Sequence, residues 1–466
     1  MSGNKILVVL FAAIVAVSAG PDFSMTGFAT TEGGTTGGAG GEVVTPSTLD
    51  ELKRYAEDPE KSCVILISGE FNTGVAVTVD SDGAVTSSGT GTTYGDIIRL
   101  GSNKSLIGTG SGAFFNRIGI NIQCQSNIII RNIIFTMKNV PVAKTNENKI
   151  LGWVNGTATP LTDPDCIAIQ ADDDNVAKEQ QRCRNIWIDH CEFYNEDPEV
   201  MGNKDRYDGL IDGKNNSSAI TVSWCYFHDH HKASLMGKGN SDDFDRRITY
   251  SHNYFRNIAA RLPLIRYGNC HLLNNCMVTS ENGANARASS DLYIEANWFE
   301  DSKKPAFGKV SENGAATFVG NRWVDCSRVP QVILSAGQAA GADPLSESEE
   351  LLRGSFKPSY SYSADRVEDV KTIVTTYAGV GKIDIGEYTG VVTKRNSAEK
   401  PVSAFTRGGR IVVNTRPGTP VTLCTLAGAV LYRGKSTRRE LQLPYTAENG
   451  VYVVKTGDIA QTLIMP

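Results

Sequence analysis

The segment from Asp208 to Arg266 holds the side chains best suited to chemistry. It contains Asp208-Gly-Leu-Ile-Asp212, then Asp229-His230-His231-Lys232, then Arg261-Leu-Pro-Leu-Ile-Arg266. Carboxylates come first, fixed cations follow, and short β-like runs separate them. Two acids four residues apart can share one divalent ion, and a lysine with two arginines suits an anionic substrate. Upstream, Asp163-Pro-Asp165 stands immediately before the apolar Cys166-Ile-Ala-Ile169, which reads as a strand. Asp165 and the Asp208/Asp212 pair would approach each other if their segments lay on neighbouring turns of a coil. Three or four carboxylates in one place repel unless a cation binds, and hard oxygen ligands favour Ca2+. The bland alternative is a set of loop aspartates in Asx-turns, which are common beside Gly and Pro. Asp172-Asp173-Asp174 is weaker evidence, because consecutive loop acids are usually just solvated.

Lys232 comes directly after a strand-like run. Arg261 and Arg266 are five residues apart, with Pro263 between them. An odd offset puts two side chains on opposite faces of an extended segment, but a proline and a bend can realign them. Any one of these cations alone reads as a surface salt-bridge partner. Three of them following the acid cluster point to a site. His230 and His231 are neighbours in a strand, so at most one faces the cleft, and a structural role suits them better than a metal pair. The chain carries no GxSxG elbow, no Walker loop, no HExxH and no zinc-spaced Cys/His set. A polysaccharide hydrolase using clustered carboxylates is the main rival, and a non-catalytic binding solenoid is a second.

The elements that position these residues form a repeat. Ile128–Phe135, Ile186–Phe193, Ile220–Phe227, Ile248–Phe255, His271–Val278 and Leu292–Phe299 share one pattern, with a shorter copy at Thr317–Trp323. Apolar residues alternate, then a Cys or Asn precedes an aromatic pair. The later copies recur every 21 to 28 residues, too short for βαβ units and without helical patterning. This predicts an all-β fold, a right-handed parallel β-helix in which each coil stacks on the next. The stacked ladder position reads Ile133, Cys191, Cys225, Asn253, Cys276, Asn297, Asn321. Asn side chains in such a row can hydrogen-bond along the solenoid, and Cys is a small apolar filler. Cys191, Cys225 and Cys276 are therefore expected as free thiols, although ten cysteines in an exported chain also invite disulfides.

Leu49–Ala56 is expected to form a short amphipathic helix over the open end of the first coil, with Ser47 and Thr48 available as N-cap. Insertions at 141–164, 194–207 and 238–246 fall on the acidic and basic side and are expected to wall a cleft. A helix is expected over Val367–Tyr377. From about residue 400 the texture changes to short strands, which reads as an appended small β-sandwich. The predicted division is a signal peptide at 1–19, the solenoid at 20–390 and the small β domain at 391–466. In the signal, Lys5 precedes the apolar Ile6–Val17, and Val17-Ser18-Ala19 is a small-residue cleavage site. That run is too short to span a bilayer, so export is expected: to the medium, the periplasm or the cell surface. The net charge of −5 gives no global basic field for nucleic acid. With no evident oligomer interface, a monomer is expected.

Gly27-Phe-Ala, Gly34-Thr-Thr-Gly-Gly-Ala-Gly-Gly41, Ser102–Gly110, Asn185-Ile-Trp-Ile-Asp-His190, Asp208–Lys214, His228–Gly237 and Arg261–Arg266 together resemble the pectate lyases of polysaccharide lyase family 1. The resemblance spans roughly Gly27 to Lys382, so it absorbs the Gly-rich run that otherwise reads as a linker. It implies a calcium-dependent lyase that cleaves de-esterified α-1,4-polygalacturonate, the backbone of pectin, by β-elimination. By that similarity Asp165, Asp208 and Asp212 fall on calcium-ligand positions, and Asp163 is a further acidic ligand in the substrate complex. Arg261 falls on the catalytic base, Lys232 and Arg266 on positions that hold the substrate carboxylate, and Lys214 on a substrate contact. Asp189 and His190 belong to a signature read as structural. Related pectin lyases, which take methyl-esterified substrate without calcium, lack this acid set. An arginine base implies an alkaline pH optimum. The last 60 or so residues depart from the family and resemble a C-terminal sorting or accessory module, with Gly450–Lys455 as the cue.

Overall fold

The computed structural model describes residues 21–383, with breaks at 80–84, 90–93, 141, 144–145, 155–156, 163–164, 202–203, 205, 331 and 334–349, and the strands of 403–465 with short breaks between them. The proposed signal segment and Asp163 lie outside the described residues. No described helix is long and apolar enough to cross a membrane.

Short strands stack in parallel, each coil contributing up to three, as the repeat predicts. The first row runs Ile118–Gln123, Ile167–Ala171, Ile211–Asn215, Ser234–Met236 and Leu264–Arg266, and then the end of Cys276–Arg287. The second row runs Ile128–Arg131, Ile186–Asp189, Ile220–Ser223, Arg247–Ser251, Asn269–Leu273, Asp291–Glu295 and Ala315–Val319. The third runs Ile133–Thr136, Glu192–Tyr194, Tyr226–Lys232 and Tyr254–Ala260, then into Cys276–Arg287 and Trp298–Gly308. In-register pairing repeats each side chain above its equivalent. Alternate residues of every row point inward and form one continuous apolar core, which includes Ile120, Ile167, Ile211, Val222, Phe227 and Ile265.

Two ladders run through the interior. Phe135, Phe193, Phe227 and Phe255 stack with centroids 4.6 to 5.2 Å apart. Asn253, Asn275, Asn297 and Asn321 hydrogen-bond along the axis, each of the last three accepting from the Nδ2 of the one before at 2.9 to 3.0 Å, while Asn253 Oδ1 accepts from Cys225 N. The ladder member in the fifth copy is thus Asn275, not Cys276. The register pairs Ile248 with Cys270, so that copy starts one residue earlier than the alternation suggested, and Cys276 lies beneath Trp298. A row of amides outweighs the apolar pattern here, because a buried amide without a partner is costly. Cys191 and Cys225 sit in the ladder as expected, and all ten cysteines are free thiols.

Leu49–Ala56 is a helix whose N-cap Thr48 accepts from Glu51 N, while Glu51 reaches back to Ser47 N at 2.9 Å. Leu52 and Ala56 close the end of the core. Val367–Tyr377 is also helical, and lays Val370 and Val374 over Tyr254, Val278 and Trp298. The insertion at 141–164 contributes a three-stranded antiparallel sheet. The C-terminal strands form two antiparallel sheets that share one apolar core, with Ile411 and Val413 from one and Val421, Leu423 and Val454 from the other.

Candidate active site

Register puts the acids together. Ile167 pairs with Ile211, which sets Asp165 and Asp212 on adjoining coils. Carboxylate oxygens of Asp165, Asp208 and Asp212 lie within 4.8 Å of one another. Asp165 and Asp212 are only 3% and 1% exposed, so water does little to screen them. Each carboxylate is aimed by the backbone. Asp165 Oδ1 accepts from Gly209 N at 2.7 Å, and Asp212 Oδ1 accepts from Leu235 N at 2.9 Å. Gly209 is required for this closeness: a Cβ there would stand 2.1 Å from Asp212 Oδ1. Burial, and then the Asp212 carboxylate beside it, push Asp165 well above the usual carboxylate range. Burial, and then Asp208, raise Asp212 to about 6, against the opposing pull of Lys214 and Arg261. Asp212 Oδ2 is buried without a hydrogen-bond partner.

Two lysines close on the same carboxylates. Lys214 Nζ is 3.6 Å from Asp165 Oδ2, and Lys232 Nζ is 3.4 Å from Asp208 Oδ1. Arg261 occupies the corner between Tyr254–Ala260 and Leu264–Arg266, in the left-handed region at φ 65°. The alternation rule therefore does not govern its offset from Arg266. Arg266 donates to Gly237 O at 2.8 Å, and its Nε is buried without a partner. Asp165, Asp208, Asp212, Lys214 and Lys232 are thus one contiguous cluster, and Arg261 acts electrostatically on it. Asp172 lies outside the cluster, paired with Lys238 at 3.5 Å.

His230 is structural, as expected. It is fully buried, and its Nε2 donates to Asp208 O at 2.7 Å while Nδ1 faces Asn195 at 3.4 Å. Burial lowers its pKa to about 3, so it stays neutral and holds the Asp208 backbone at working pH. Several supports went unrecognised in the sequence. Asn195 is one. Another is the buried Asp242–Arg246 ion pair, in which Arg246 holds Arg266 O at 3.0 Å and Asp242 accepts from Lys238 N at 2.8 Å. A third is Arg287, paired above Arg266 and clamped to Glu312 by two bonds of 2.6 Å. Arg287 lies one repeat after Arg266, and that spacing is a signal that could have found it. Nothing in the sequence marks Asn195 or Asp242 as a support across an insertion.

Comparison with known proteins identifies the family. The pectate lyase profile matches residues 4–383. The chain belongs to the pectate lyase family. A pectate trisaccharide-lyase of Bacillus licheniformis is 35% identical over 364 residues, covering 78% of this chain and 88% of that protein. Pectate lyase B of Colletotrichum gloeosporioides is 31% identical over 60% of this chain and 70% of its own length. A Bacillus sp. N165 pectate lyase, solved in complex with trigalacturonate, superposes with a TM-score of 0.54 at 26% identity, covering 77% of this chain and 99% of its own. The family match stops at residue 383, before the two C-terminal sheets.

Proposed function

We propose that this pectate lyase cleaves de-esterified α-1,4-polygalacturonate by calcium-dependent β-elimination. The carrying observation is the buried carboxylate triad, with oxygens within 4.8 Å and one of them unpartnered. A hard divalent cation fits that donor set, since it satisfies Asp212 Oδ2 and removes the mutual repulsion. Asp165, Asp208 and Asp212 would hold the Ca2+, with Asp163 joining them when substrate binds. Bound there, the ion would supply positive charge beside the uronate carboxylate and stabilise the negative charge that develops next to it.

The chain's own residues supply the rest. Lys232 and Arg266 hold the carboxylate of the reacting galacturonate, and Lys214 contacts the neighbouring oxygens. Arg261, once it has given up its own proton to solvent, takes the C5 proton, which lies α to that carboxylate. The C5–H electron pair becomes the C4–C5 double bond as the C4–O bond breaks. The departing oxygen takes a proton from water and leaves as a hydroxyl. Placing cations beside the nascent enolate lowers the barrier, because they are already oriented when the charge appears. The product is an unsaturated oligogalacturonide. The family, the export-type leader at 1–19 and the large polymeric substrate support a secreted enzyme with its lyase domain at 20–390. Residues 391–466 would then be a separate accessory or sorting module.

Incubation with polygalacturonate, with and without EDTA, tests the reaction. New ultraviolet absorbance from the unsaturated product, abolished by EDTA and restored by Ca2+, is expected. New reducing ends without that absorbance would mean hydrolysis and overturn the proposal.

A further inference from the structure

The C-terminal strands carry the opposite charge from the solenoid they follow. Residues 391–466 hold eleven Lys and Arg against four Asp and Glu, a net charge of +7. The whole chain is −5, which leaves −12 on residues 1–390. The basic excess lies beyond residue 383, where the family match ends, so the catalytic fold does not require it. Part of it gathers on one sheet face. That sheet is built from Val430–Lys435, Pro420–Thr425, Gly450–Thr456 and Ile459–Met465, and its Val421, Leu423 and Val454 point into the apolar core. The alternate positions therefore point outward. Register sets Arg433 and Lys455 on either side of Thr422, and Lys435 beside Pro420. Arg433 and Lys455 are thus about 10 Å apart at the backbone, with Lys435 about 7 Å along the strand from Arg433. Burial raises the pKa of the Cys424 thiol beside them; Lys455 and then Arg433 draw it down, and Asp22 adds to the rise. Both cations therefore act on one spot.

Arg433, Lys435 and Lys455 are exposed, as is Arg438 in the turn that follows Lys435. Among the described residues none of these four is joined to an acid in an ion pair. The solenoid treats its cations differently: Arg131 is taken by Asp189, Arg246 by Asp242 and Arg287 by Glu312. Like charges crowded on one face repel, and a partner with many negative charges relieves that repulsion. A polyuronate offers one carboxylate per sugar unit, which guanidinium groups bind bidentately and ammonium groups bind as point charges. The −12 of the solenoid portion, by contrast, repels such a polymer at long range. A basic module joined to it offsets that repulsion. It also raises the concentration of polymer at the cleft without touching the chemistry there.

We infer that the sheet face bearing Arg433, Lys435 and Lys455 is a non-catalytic docking surface for polyuronate, which tethers the enzyme to its polymer. The inference rests on the polygalacturonate reading above. It is tested with the full chain carrying Arg261→Ala, stripped with EDTA, by measuring retention on immobilised polygalacturonate. Adding Arg433→Ala, Lys435→Ala and Lys455→Ala together, all at exposed positions, is expected to weaken retention about tenfold at low salt. The difference should vanish by about 0.5 M salt, where charges are screened. Highly methyl-esterified pectin should retain neither protein. With Arg261 restored, the triple variant should show a KM for the polymer raised several-fold at unchanged kcat, while kcat/KM for trigalacturonate stays within twofold of wild type. Unchanged retention of the triple variant, equal retention on esterified pectin, or an equal loss of trigalacturonate turnover would overturn the docking surface. Stronger binding to phosphatidylglycerol vesicles than to polygalacturonate would overturn it too, and assign the face to an anionic membrane. Failure of the wild type to form unsaturated product would instead count against the proposed reaction, while retention still reads the docking surface.

Discussion

The asparagine ladder and the acidic cluster are built by the same device and behave in opposite ways. Both arise because coils stack in register and bring like residues together. Inside, Asn253, Asn275, Asn297 and Asn321 each carry a donor and an acceptor, so repetition satisfies every member. On the cleft side, Asp165, Asp208 and Asp212 are acceptors only, so repetition leaves Asp212 Oδ2 buried without a partner. A solenoid closes its interior with self-complementary groups and opens a binding site where the stacked groups need something from outside.

That contrast can be broken from either side. Arg261→Ala should cut turnover by roughly a thousandfold, in the range for loss of a general base, while the melting temperature and binding of substrate oligomers stay near wild type. Intact turnover would remove Arg261 from the mechanism. Asn275→Ala should do the reverse. It strands the backbone N–H of Asn253 and the Tyr250 carbonyl, which Asn275 bonds at 3.0 and 2.9 Å, so denaturant unfolding should show a loss of about 3 kcal/mol. Calcium affinity should not move.

Asp212→Asn sharpens the comparison, because it makes the outer stack resemble the inner one. Calcium affinity should fall about a hundredfold by calorimetry, and the stripped protein should become more stable by about 2 kcal/mol at pH 8. The smallest effect is the pH dependence of the stripped protein. Asp212 is raised to about 6 when folded, so its contribution is most favourable below the ordinary aspartate range. It is lost as pH rises through about 6. The melting temperature without calcium should therefore decline across that window, and calcium should stabilise more at pH 8 than at pH 5. A flat profile would mean that the carboxylates are not crowded in solution.

The reasons for success and failure in the sequence are physical. The coil was legible because Ile-x-Ile alternation and a trailing aromatic pair repeat at nearly constant spacing, and Phe193, Phe227 and Phe255 stack as that predicts. The ladder was misread by one residue at Cys276, because an apolar pattern cannot tell Cys270 from His271 as the first strand position when both are fully buried. Asp165, Asp208 and Asp212 were legible as acids flanking strand-like runs. Of the supports around them, His230 was read as structural and Arg287 stood one repeat after Arg266, but Asn195 and Asp242 act across insertions of irregular length that conceal them. A bend between Arg261 and Arg266 was anticipated from Pro263, but its place at Arg261 was not, since that left-handed backbone is set by the corner rather than by the residue type.

The most direct measurement restores Ca2+ stepwise to EDTA-stripped protein and follows formation of unsaturated product from polygalacturonate, for the wild type and Asp212→Asn side by side. The account predicts a saturable return of activity in the wild type, and a response in the variant displaced to far higher calcium or lost. Activity that survives stripping, or a variant that responds as the wild type does, would contradict it.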